Sequence, residues 1–249
     1  MQWSFVERTN YYIKSNVKHS IRIVHLTDLH GTIRFLNGSI SGIINDIQPD
    51  LIMVTGDLVS NQRRLEKVLN ELGRLACKQV YFVPGNYERE QTIRFKKQPL
   101  TADQYNKILQ QLQSNNITVL DNKHSVVHIH SSRILVYGFD NSIYGNERYN
   151  SNIDIETYDF KMLLAHSPSI ITELENQNIS YDLLLAGHTH GGQIRLSNRT
   201  FGAYKHFHIG MKLMGEGRHF LINRGLGTVR IPLRVNCRPE IAVIHINPK

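Results

Sequence analysis

Apolar-rich runs alternate with helical patterns along the first third of the chain. Residues 21–26, 51–54 and 80–83 have the composition of strands that are buried on both faces. Between them, residues 40–47 and 65–75 carry apolar side chains at helical spacing. This alternation of strand and helix predicts a parallel sheet that is covered by helices.

Capping signals mark the starts of three helices. Asn61 is a candidate cap for the helix at 65–75. Thr101 and Gln104 form a capping-box pattern before the next apolar helical stripe. Ser167 as a cap, followed by Pro168 at the first helical position, predicts a further helix start.

The second half of the chain reads as a series of shorter strands. The first three are separated by turn signals, which predicts antiparallel pairing. No linker rich in Pro, Gly or Ser divides the chain, and 249 residues suit one domain spanning 1–249. The predicted strands are 117–120, 125–129, 134–138, 161–165, 183–186, 220–222 and 241–246.

Metal-ligating side chains follow five of the predicted strands. Ligands of α/β sheets bind at strand ends, and carboxylate, carboxamide and imidazole groups are the donors that paired transition metals need. A single Asp after a strand is most often a turn former, but seven such residues in order point to paired metals and phosphoester hydrolysis. The motifs are Asp28-Leu29-His30, Gly56-Asp57, Gly85-Asn86, His166 and Gly187-His188-Thr189-His190.

These motifs closely resemble those of the calcineurin-like metallophosphoesterase superfamily. Its pattern is Asp-x-His, Gly-Asp, Gly-Asn-His-Asp/Glu, a single His and Gly-His-x-His, and the resemblance extends from about residue 20 to residue 246. It implies an α/β fold of two mixed β-sheets packed as a sandwich and flanked by helices. The segments similar to the bacterial branch that is often attached to membranes are 191–193, 224–228, 231–234 and 238–240.

The resemblance also implies how the ligands divide between two divalent or trivalent transition-metal ions. Such donors suit Mn, Fe or Zn alike, so the identity of the ions is not readable. The implied chemistry is in-line attack of activated water on phosphorus, with Asp57 bridging the ions. One ion would be held by Asp28, His30, Asp57 and His190, and the other by Asp57, Asn86, His166 and His188. The catalytic positions are Asp57, Asn86, Tyr87 and His188.

One position departs from the superfamily pattern, because Tyr87 stands where a histidine usually follows Gly-Asn. A phenol is a weak general acid at neutral pH. The favoured interpretation is a substrate whose leaving group needs no proton, as in the branch that cleaves the pyrophosphate of a UDP-linked acylated sugar. Two other interpretations stay open. In one, His30, His206 or His208 supplies the proton in place of Tyr87. In the other, the protein is slow or inactive and keeps its metals for another role.

The excess positive charge is concentrated in one segment, 195–238. It holds nine Lys and Arg residues and a single acid, Glu216, which accounts for the whole net charge of +8. Such a field attracts polyanionic substrates or an anionic membrane surface, with solvated loop charge as the alternative. Because arginine binds phosphate through two bonds, the predicted substrate contacts are Arg224, Arg230, Arg234 and Arg238.

Two further segments are candidates for the surroundings of the site. Residues 88–99, rich in Arg, Lys and Gln, are predicted as a rim of the pocket or a solvated loop. A second set would contact acyl chains or a membrane, or pack as a loop on the core. Its members are Tyr204, Phe207, Met211, Leu213 and Met214.

Composition also bears on location. Cys77 and Cys237 are too few for a disulfide framework and are expected to be buried thiols in a reducing compartment. The sequence shows no signal-peptide pattern and no run near the ~20 apolar residues of a membrane span. We expect a cytoplasmic location, with peripheral contact to the inner face of the cell membrane as an option.

The leading hypothesis is a di-metal phosphohydrolase that cleaves a phosphodiester or pyrophosphate bond, with a lipid-linked or cell-envelope substrate as an option. The alternatives are a catalytically weak metal-binding module that recognises anionic lipid or a partner, and a nuclease. Nucleic acid is not an expected partner, since no nucleic-acid module is evident. A phosphoprotein phosphatase is disfavoured because residues 58–61 lack the Asp-Arg-Gly run of that branch. The oligomeric state is not predicted.

Overall fold

The computed structural model describes residues 5–94, 96–150, 158–196, 199–200 and 204–249. The helices are α1 (Ile40–Ile47), α2 (Leu65–Leu72), α3 (Ala102–Ser114) and α4 (Ile170–Asn176). The strands are β1 (Glu7–Ser15), β2 (Ile21–Leu26), β3 (Arg34–Phe35), β4 (Gly38–Ser39), β5 (Leu51–Thr55), β6 (Val80–Val83), β7 (Glu90–Ile93), β8 (Lys96–Pro99), β9 (Thr118–Val119), β10 (Lys123–Ile129), β11 (Ser132–Gly138), β12 (Phe160–Leu164), β13 (Leu183–Ala186), β14 (Arg195–Leu196), β15 (Arg199–Thr200), β16 (Gly210–Leu213), β17 (His219–Ile222) and β18 (Glu240–Pro248).

Two six-stranded sheets of mixed direction form the centre of the fold. Their strand orders are β1-β18-β2-β5-β6-β9 and β10-β11-β12-β13-β17-β16. In the first sheet β18 and β2 are antiparallel, while the other neighbours are parallel. In the second, the outer pairs β10/β11 and β16/β17 are antiparallel around a parallel centre. The predicted α/β fold with two mixed sheets is therefore confirmed.

Apolar side chains form three layers in the described part of the chain. Helices α1, α2 and α3 cover one face of the first sheet, where Ile44 and Phe82 belong to the same cluster. The two sheets share a second cluster that includes Met53 and Leu164, and α4 covers the far face of the second sheet through Leu174. Because β5 is buried on both faces, its side chains are apolar at nearly every position.

Strand β9 shows that the antiparallel pairing predicted for 117–120 is wrong. Helix α3 brings the chain back alongside β6, so β6, α3 and β9 form a crossover unit. Strand β9 consequently pairs in parallel with β6. Strands β10 and β11 do pair antiparallel, as the turn signals predicted.

The three predicted caps have different outcomes. The capping box is confirmed, because Gln104 N donates to Thr101 Oγ1 at 3.2 Å and Thr101 N donates to Gln104 Oε1 at 2.9 Å. Asn61 caps a short 3₁₀ turn that precedes α2, by accepting from Arg63 N. Ser167 caps a tight turn before α4, since its Oγ accepts from Ser169 N at 3.4 Å, but hydrogen bonds at three-residue spacing delay the start of α4 to Ile170.

A buried carboxylate joins the first strand to the rest of the first sheet. Glu240, at the start of β18, accepts hydrogen bonds from Arg224 Nε at 3.1 Å and from the Tyr11 hydroxyl at 2.9 Å. Arg224 also donates to Thr9 Oγ1 at 3.1 Å. Burial acts to raise the pKa of Glu240, but the adjacent guanidinium outweighs it and holds the pKa below its usual range. The interaction fixes the start of the loop after β17.

That loop lies directly against the first polar motif. Leu226 N donates to Thr27 O at 3.1 Å, and Gly227 N donates to Asp28 O at 2.7 Å. Gly225 has a φ of +70°, and a Cβ at this position would lie 2.7 Å from Asp28 Cβ. The Glu240–Arg224 interaction therefore supports the backbone around Asp28.

We expect Glu240→Gln to lower the free energy of unfolding at neutral pH by about 3 kcal/mol, because it leaves the Arg224 charge without its buried partner. Since the folded-state pKa of Glu240 is depressed, its contribution is present above the ordinary glutamate pKa and is lost as the pH falls through the folded-state value. Urea denaturation from pH 7 to pH 3 should therefore show the two proteins converging at acid pH. Glu216→Gln, at a side chain that is 85% exposed, is the control. Equal stabilities at neutral pH would contradict the role given to Glu240.

Candidate metal centre

The predicted polar motifs converge at one end of the sandwich. Asp28, Asp57 and Asn86 follow β2, β5 and β6 of the first sheet, while His166 and His188 follow β12 and β13 of the second. Hydrogen bonds join the two sets: His188 N donates to Asp28 Oδ2 at 2.8 Å, and His166 Nδ1 donates to the carbonyl of residue 55 at 2.7 Å. Both sheets therefore contribute to one site.

Two groups of ligand atoms can hold metal ions in the part of the chain that the structure describes. Within each group, the ligand atoms lie within 4.8 Å of one another. Five of the six residues are buried and His188 is half-buried. The first group is Asp28, His30 and His190, and the second is Asp57, His166 and His188.

Asp57 lies between these two groups. Its Oδ2 atom is 3.3 Å from His166 Nε2 in the second group and 3.6 Å from His30 Nε2 in the first. Its other oxygen, Oδ1, accepts a hydrogen bond from Tyr87 N at 2.8 Å. One carboxylate oxygen therefore faces both groups, which is the arrangement expected of a bridging ligand.

Two buried oxygens at the site have no hydrogen-bond partner among the described residues: Asp28 Oδ1 and Asn86 Oδ1. The amide nitrogen of Asn86 donates to Glu90 Oε1 at 2.6 Å, so its carbonyl oxygen is the atom left over. Leaving a buried acceptor unpaired is costly, whereas a cation satisfies both atoms. The residues present therefore fit a pair of metal ions.

Neighbouring groups fix the orientation of the imidazoles. His166 Nδ1 must carry a proton because its partner is a backbone carbonyl, which leaves Nε2 for a metal. His30 Nδ1 contacts Ser60 Oγ at 2.8 Å, and His188 Nε2 contacts the Tyr204 hydroxyl at 3.0 Å. In each ring the other nitrogen faces its own group of ligands.

The charge state of the site suits cation binding. Burial lowers the pKa of His188 to about 4 and that of His190 to about 3, so both rings are neutral at neutral pH. Burial also acts to lower the pKa of His166, but Asp57 and Asp28 outweigh it and raise this pKa to about 10. Burial acts to raise the pKa values of Asp28 and Asp57, but the neighbouring histidines outweigh it and hold both values below normal. A metal at His166 Nε2 would replace a proton there.

The loops that carry the ligands adopt an unusual backbone conformation. Five ligand positions have positive φ values although none is glycine: Asp28 (53°), His30 (45°), Asp57 (56°), His188 (66°) and His190 (52°). Such conformations persist only when the surrounding structure holds them, and they cluster at functional sites. Gly187 is needed for a different reason, lack of space, because a Cβ there would clash with Thr27 Oγ1 and Asp28 Oδ2.

Glu88, which the sequence analysis included in the rim or solvated loop 88–99, is instead buried and holds two of these loops together. Its buried carboxylate accepts hydrogen bonds from the backbone N–H groups of Asp57 (2.9 Å), Leu58 (3.0 Å) and Gly85 (2.7 Å). Glu88 occupies the Asp/Glu position of the Gly-Asn-His-Asp/Glu pattern, so the motif itself could have indicated a role for it. The carboxylate therefore connects the loop after β5 to the loop after β6.

A cavity of about 350 Å³ opens onto the metal-ligating residues. Four predicted catalytic positions line it together: Asp57, Asn86, Tyr87 and His188. Its remaining lining residues are Lys97, Thr189, His190, Gly192, Gln193, Tyr204, Val229 and Arg230.

Lys97 comes from the segment 88–99, predicted as a rim or a loop. Strands β7 and β8 of this segment pair antiparallel and bring Lys97 to the cavity. The exposed hairpin shows no apolar alternation, and the sequence therefore gives no signal for it. Tyr204 lies in the cavity, not on an apolar surface.

The other predicted apolar contacts divide between core and surface. Phe207 and Met214 pack against the cluster under α4, and Met211 packs against the cluster between the sheets. For these three residues, packing on the core is the interpretation that agrees with the structure. Leu213 is 62% exposed.

The four predicted arginine contacts are not equivalent. Arg230 is exposed and lines the cavity. Arg238 is exposed but is not among the described residues that line it. Arg224 is engaged with Glu240. Arg234 is 1% exposed and donates to the backbone carbonyls of Gly227 (3.0 Å) and Arg224 (2.9 Å), so the prediction that it contacts substrate is wrong.

Comparison with protein families identifies the chain. Residues 21–192 match the model of the calcineurin-like phosphoesterase family, and the chain belongs to that family. It is therefore a metal-dependent phosphoesterase. Both curated relatives described next are bacterial, in agreement with the bacterial branch that the motifs indicated.

Two curated relatives span almost the same length. Phosphodiesterase YaeI of Escherichia coli is 30% identical, with 90% of this chain and 82% of the relative covered. The uncharacterized metallophosphoesterase YkoQ of Bacillus subtilis is 27% identical, with 92% and 84% covered. Haemophilus influenzae NAD nucleotidase shares the fold with a TM-score of 0.54 at 13% identity, over 83% of this chain and 45% of the nucleotidase.

No helix among the described residues has both the length and the apolar content needed to cross a membrane. Both described cysteines are free thiols; Cys237 is buried as expected, whereas Cys77, at the surface after α2, is only half-buried.

We expect Arg234→Met to lower the free energy of unfolding by about 2–4 kcal/mol, because the buried carbonyls of Gly227 and Arg224 lose their donor. Urea denaturation of the purified variant measures this loss. Arg238→Met removes the same charge at an exposed position and should change stability by less than about 0.5 kcal/mol. A variant of Arg234 with wild-type stability and a raised KM would instead restore this residue as a substrate contact.

Proposed function

We propose that this protein is a di-metal phosphohydrolase that cleaves a phosphodiester or pyrophosphate bond with water as the nucleophile. The observation that carries the proposal is the position of Asp57 between two ligand groups, one of which contains an orphaned buried oxygen of Asp28. Asn86, with the second orphaned oxygen, lines the same cavity as Asp57.

The proposal assigns four ligands to each ion. Asp57 serves both, and its carboxylate offsets the repulsion between two neighbouring cations. When bound, the two ions supply Lewis-acid activation of water and of the phosphate oxygens. Asp28, His30, Asp57 and His190 hold one ion, and Asp57, Asn86, His166 and His188 hold the other. The donor set suits Mn, Fe and Zn.

Side chains beyond the ligands would bind and orient the phosphate group. Arg230 and Lys97 line the cavity and supply positive charge beside the metal ligands. Burial raises the pKa of the Tyr204 hydroxyl, so this group stays protonated and can donate a hydrogen bond at neutral pH. Its contact with His188 Nε2 also holds that ring in place.

Tyr87 supports the proposal of a leaving group that needs no proton. Its ring meets His30 edge-on, with ring centres 4.9 Å apart, and its hydroxyl lies 3.4 Å from Thr92 Oγ1. The hydroxyl is therefore directed toward the β7–β8 hairpin, and no hydrogen bond to a carboxyl group is found for it among the described residues. Substrates that fit are phosphoanhydrides and diesters with a stabilised leaving anion.

A lipid-linked substrate and peripheral membrane contact are finer parts of the proposal. Ile231 and Leu233, which follow Arg230 in sequence, are 54% and 40% exposed. Exposed apolar side chains beside a basic residue suit an acylated or membrane-bound anion.

We expect Asp57→Asn to reduce metal content below two ions per chain and to reduce kcat/KM at least about a thousandfold, since the bridging charge is lost. Metal analysis after Mn loading, with rates on bis-p-nitrophenyl phosphate, tests both effects. Asp103→Asn, at an exposed acid of α3, is the control. Full metal content with full activity in Asp57→Asn would contradict the proposal. Two bound ions with no turnover of any diester or anhydride would favour a metal-binding module, and rapid degradation of DNA or RNA would favour a nuclease.

We expect Tyr87→His to accelerate only substrates with poor leaving groups, because histidine can supply the proton that a phenol does not. Methyl phenyl phosphate should be cleaved at least about tenfold faster by the variant, and methyl p-nitrophenyl phosphate less than about twofold faster. Unchanged metal content checks that the ligands are intact. Equal effects on both esters would contradict the leaving-group argument.

A further inference from the structure

A second and larger cavity adjoins the one over the metal ligands. Its volume is about 940 Å³, and Tyr87, Lys97 and Arg230 line both cavities. The two cavities therefore meet at these three side chains, and together they are called the cleft. A substrate whose phosphate lies over the metal ligands can extend one arm into the second cavity.

The second cavity is lined by cations and contains no acid among its described lining residues. Arg63, Arg64, Lys97 and Arg230 line it, together with Thr32 and Thr228. Within the described chain, no ion pair is found for Arg63, Arg64 or Arg230, whereas Lys97 pairs with Glu90. A concave surface that carries unbalanced charge of one sign concentrates anions.

Backbone hydrogen bonds hold the turn that carries two of these cations. Arg63 and Arg64 belong to the 3₁₀ turn (Gln62–Arg64) that Asn61 caps. The same turn is tied to the hairpin, because Thr92 N donates to Ser60 O at 2.7 Å and Asn61 Nδ2 donates to Thr92 O at 3.0 Å. The guanidinium groups therefore extend from a fixed backbone.

Arg64 also packs against the first metal motif. A Cβ added to Gly31 would lie 2.7 Å from Arg64 Cδ, so the side chain passes over the glycine that follows His30. Arginine forms paired, charge-assisted hydrogen bonds with phosphate oxygens. This side chain accordingly lies beside the first metal motif, in the wall of the second cavity that His30 also lines.

We infer that this second cavity is a binding subsite for a second phosphate group of the substrate, attached to one arm of the scissile phosphodiester or anhydride. Arg63 and Arg64 are the residues that determine this specificity, with Arg230 and Lys97 shared between the two phosphates. The inference rests on the proposed phosphohydrolase function, and it narrows the substrate to compounds with at least two phosphates.

A matched pair of nucleotides tests the inference. Thymidine 5′-(p-nitrophenyl phosphate) carries one phosphate, and the same compound with a 3′-phosphate differs only in the second. The Mn-loaded wild-type protein should cleave the doubly phosphorylated compound with a kcat/KM at least about tenfold higher, mainly through KM. In Arg63→Gln and in Arg64→Gln this ratio should fall toward one.

Arg74→Gln is the charge-matched control, because Arg74 follows α2 and its side chain is 67% exposed. It should keep the wild-type ratio, which separates a local contact from a general effect of net charge. Turnover of both nucleotides with a ratio near one, or a high ratio that neither Arg63→Gln nor Arg64→Gln lowers, would overturn the subsite and leave the phosphohydrolase function standing. Turnover of neither nucleotide would overturn both.

Discussion

The site depends on one constraint, the burial of two carboxylates where the two sheets meet. Asp28 and Asp57 are 0% and 2% exposed, and their negative charge must be balanced inside the protein. Both carboxylates raise the pKa of His166, and the protonated ring supplies part of that balance when no cation is bound. The unpaired oxygens of Asp28 and Asn86 show that the balance is incomplete without a cation.

The fold makes this concentration of charge achievable because each sheet supplies part of the site. The first sheet contributes both carboxylates, and the second contributes His166, His188 and His190. Hydrogen bonds across the junction, such as His188 N to Asp28 Oδ2, hold the two sets in register. Since the ligand groups exist only when the sheets are docked, metal binding stabilises the folded state.

Sequence patterns predicted the ligand motifs, because each motif directly follows an apolar run, and the resemblance of these motifs to a known superfamily implied the fold of two mixed sheets. Strand β1 escaped detection because it is an edge strand with alternating exposure and polar composition. The burial of Arg234 and the presence of Lys97 in the cleft depend on tertiary packing that no local spacing encodes. Arg63 and Arg64 were missed for a related reason. They line the second cavity together with the β7–β8 hairpin, which lies beside them only in the folded chain.

Seven side chains that hold two adjacent ions bridged by Asp57 should couple those ions magnetically, because ions that share a carboxylate are magnetically coupled. Electron paramagnetic resonance of the protein loaded with two equivalents of Mn²⁺ measures this coupling. The wild-type protein should give the spectrum of a coupled pair, and Asp57→Asn should give only uncoupled Mn²⁺. A wild-type spectrum of isolated Mn²⁺ alone, at full loading, would rule out the bridged pair.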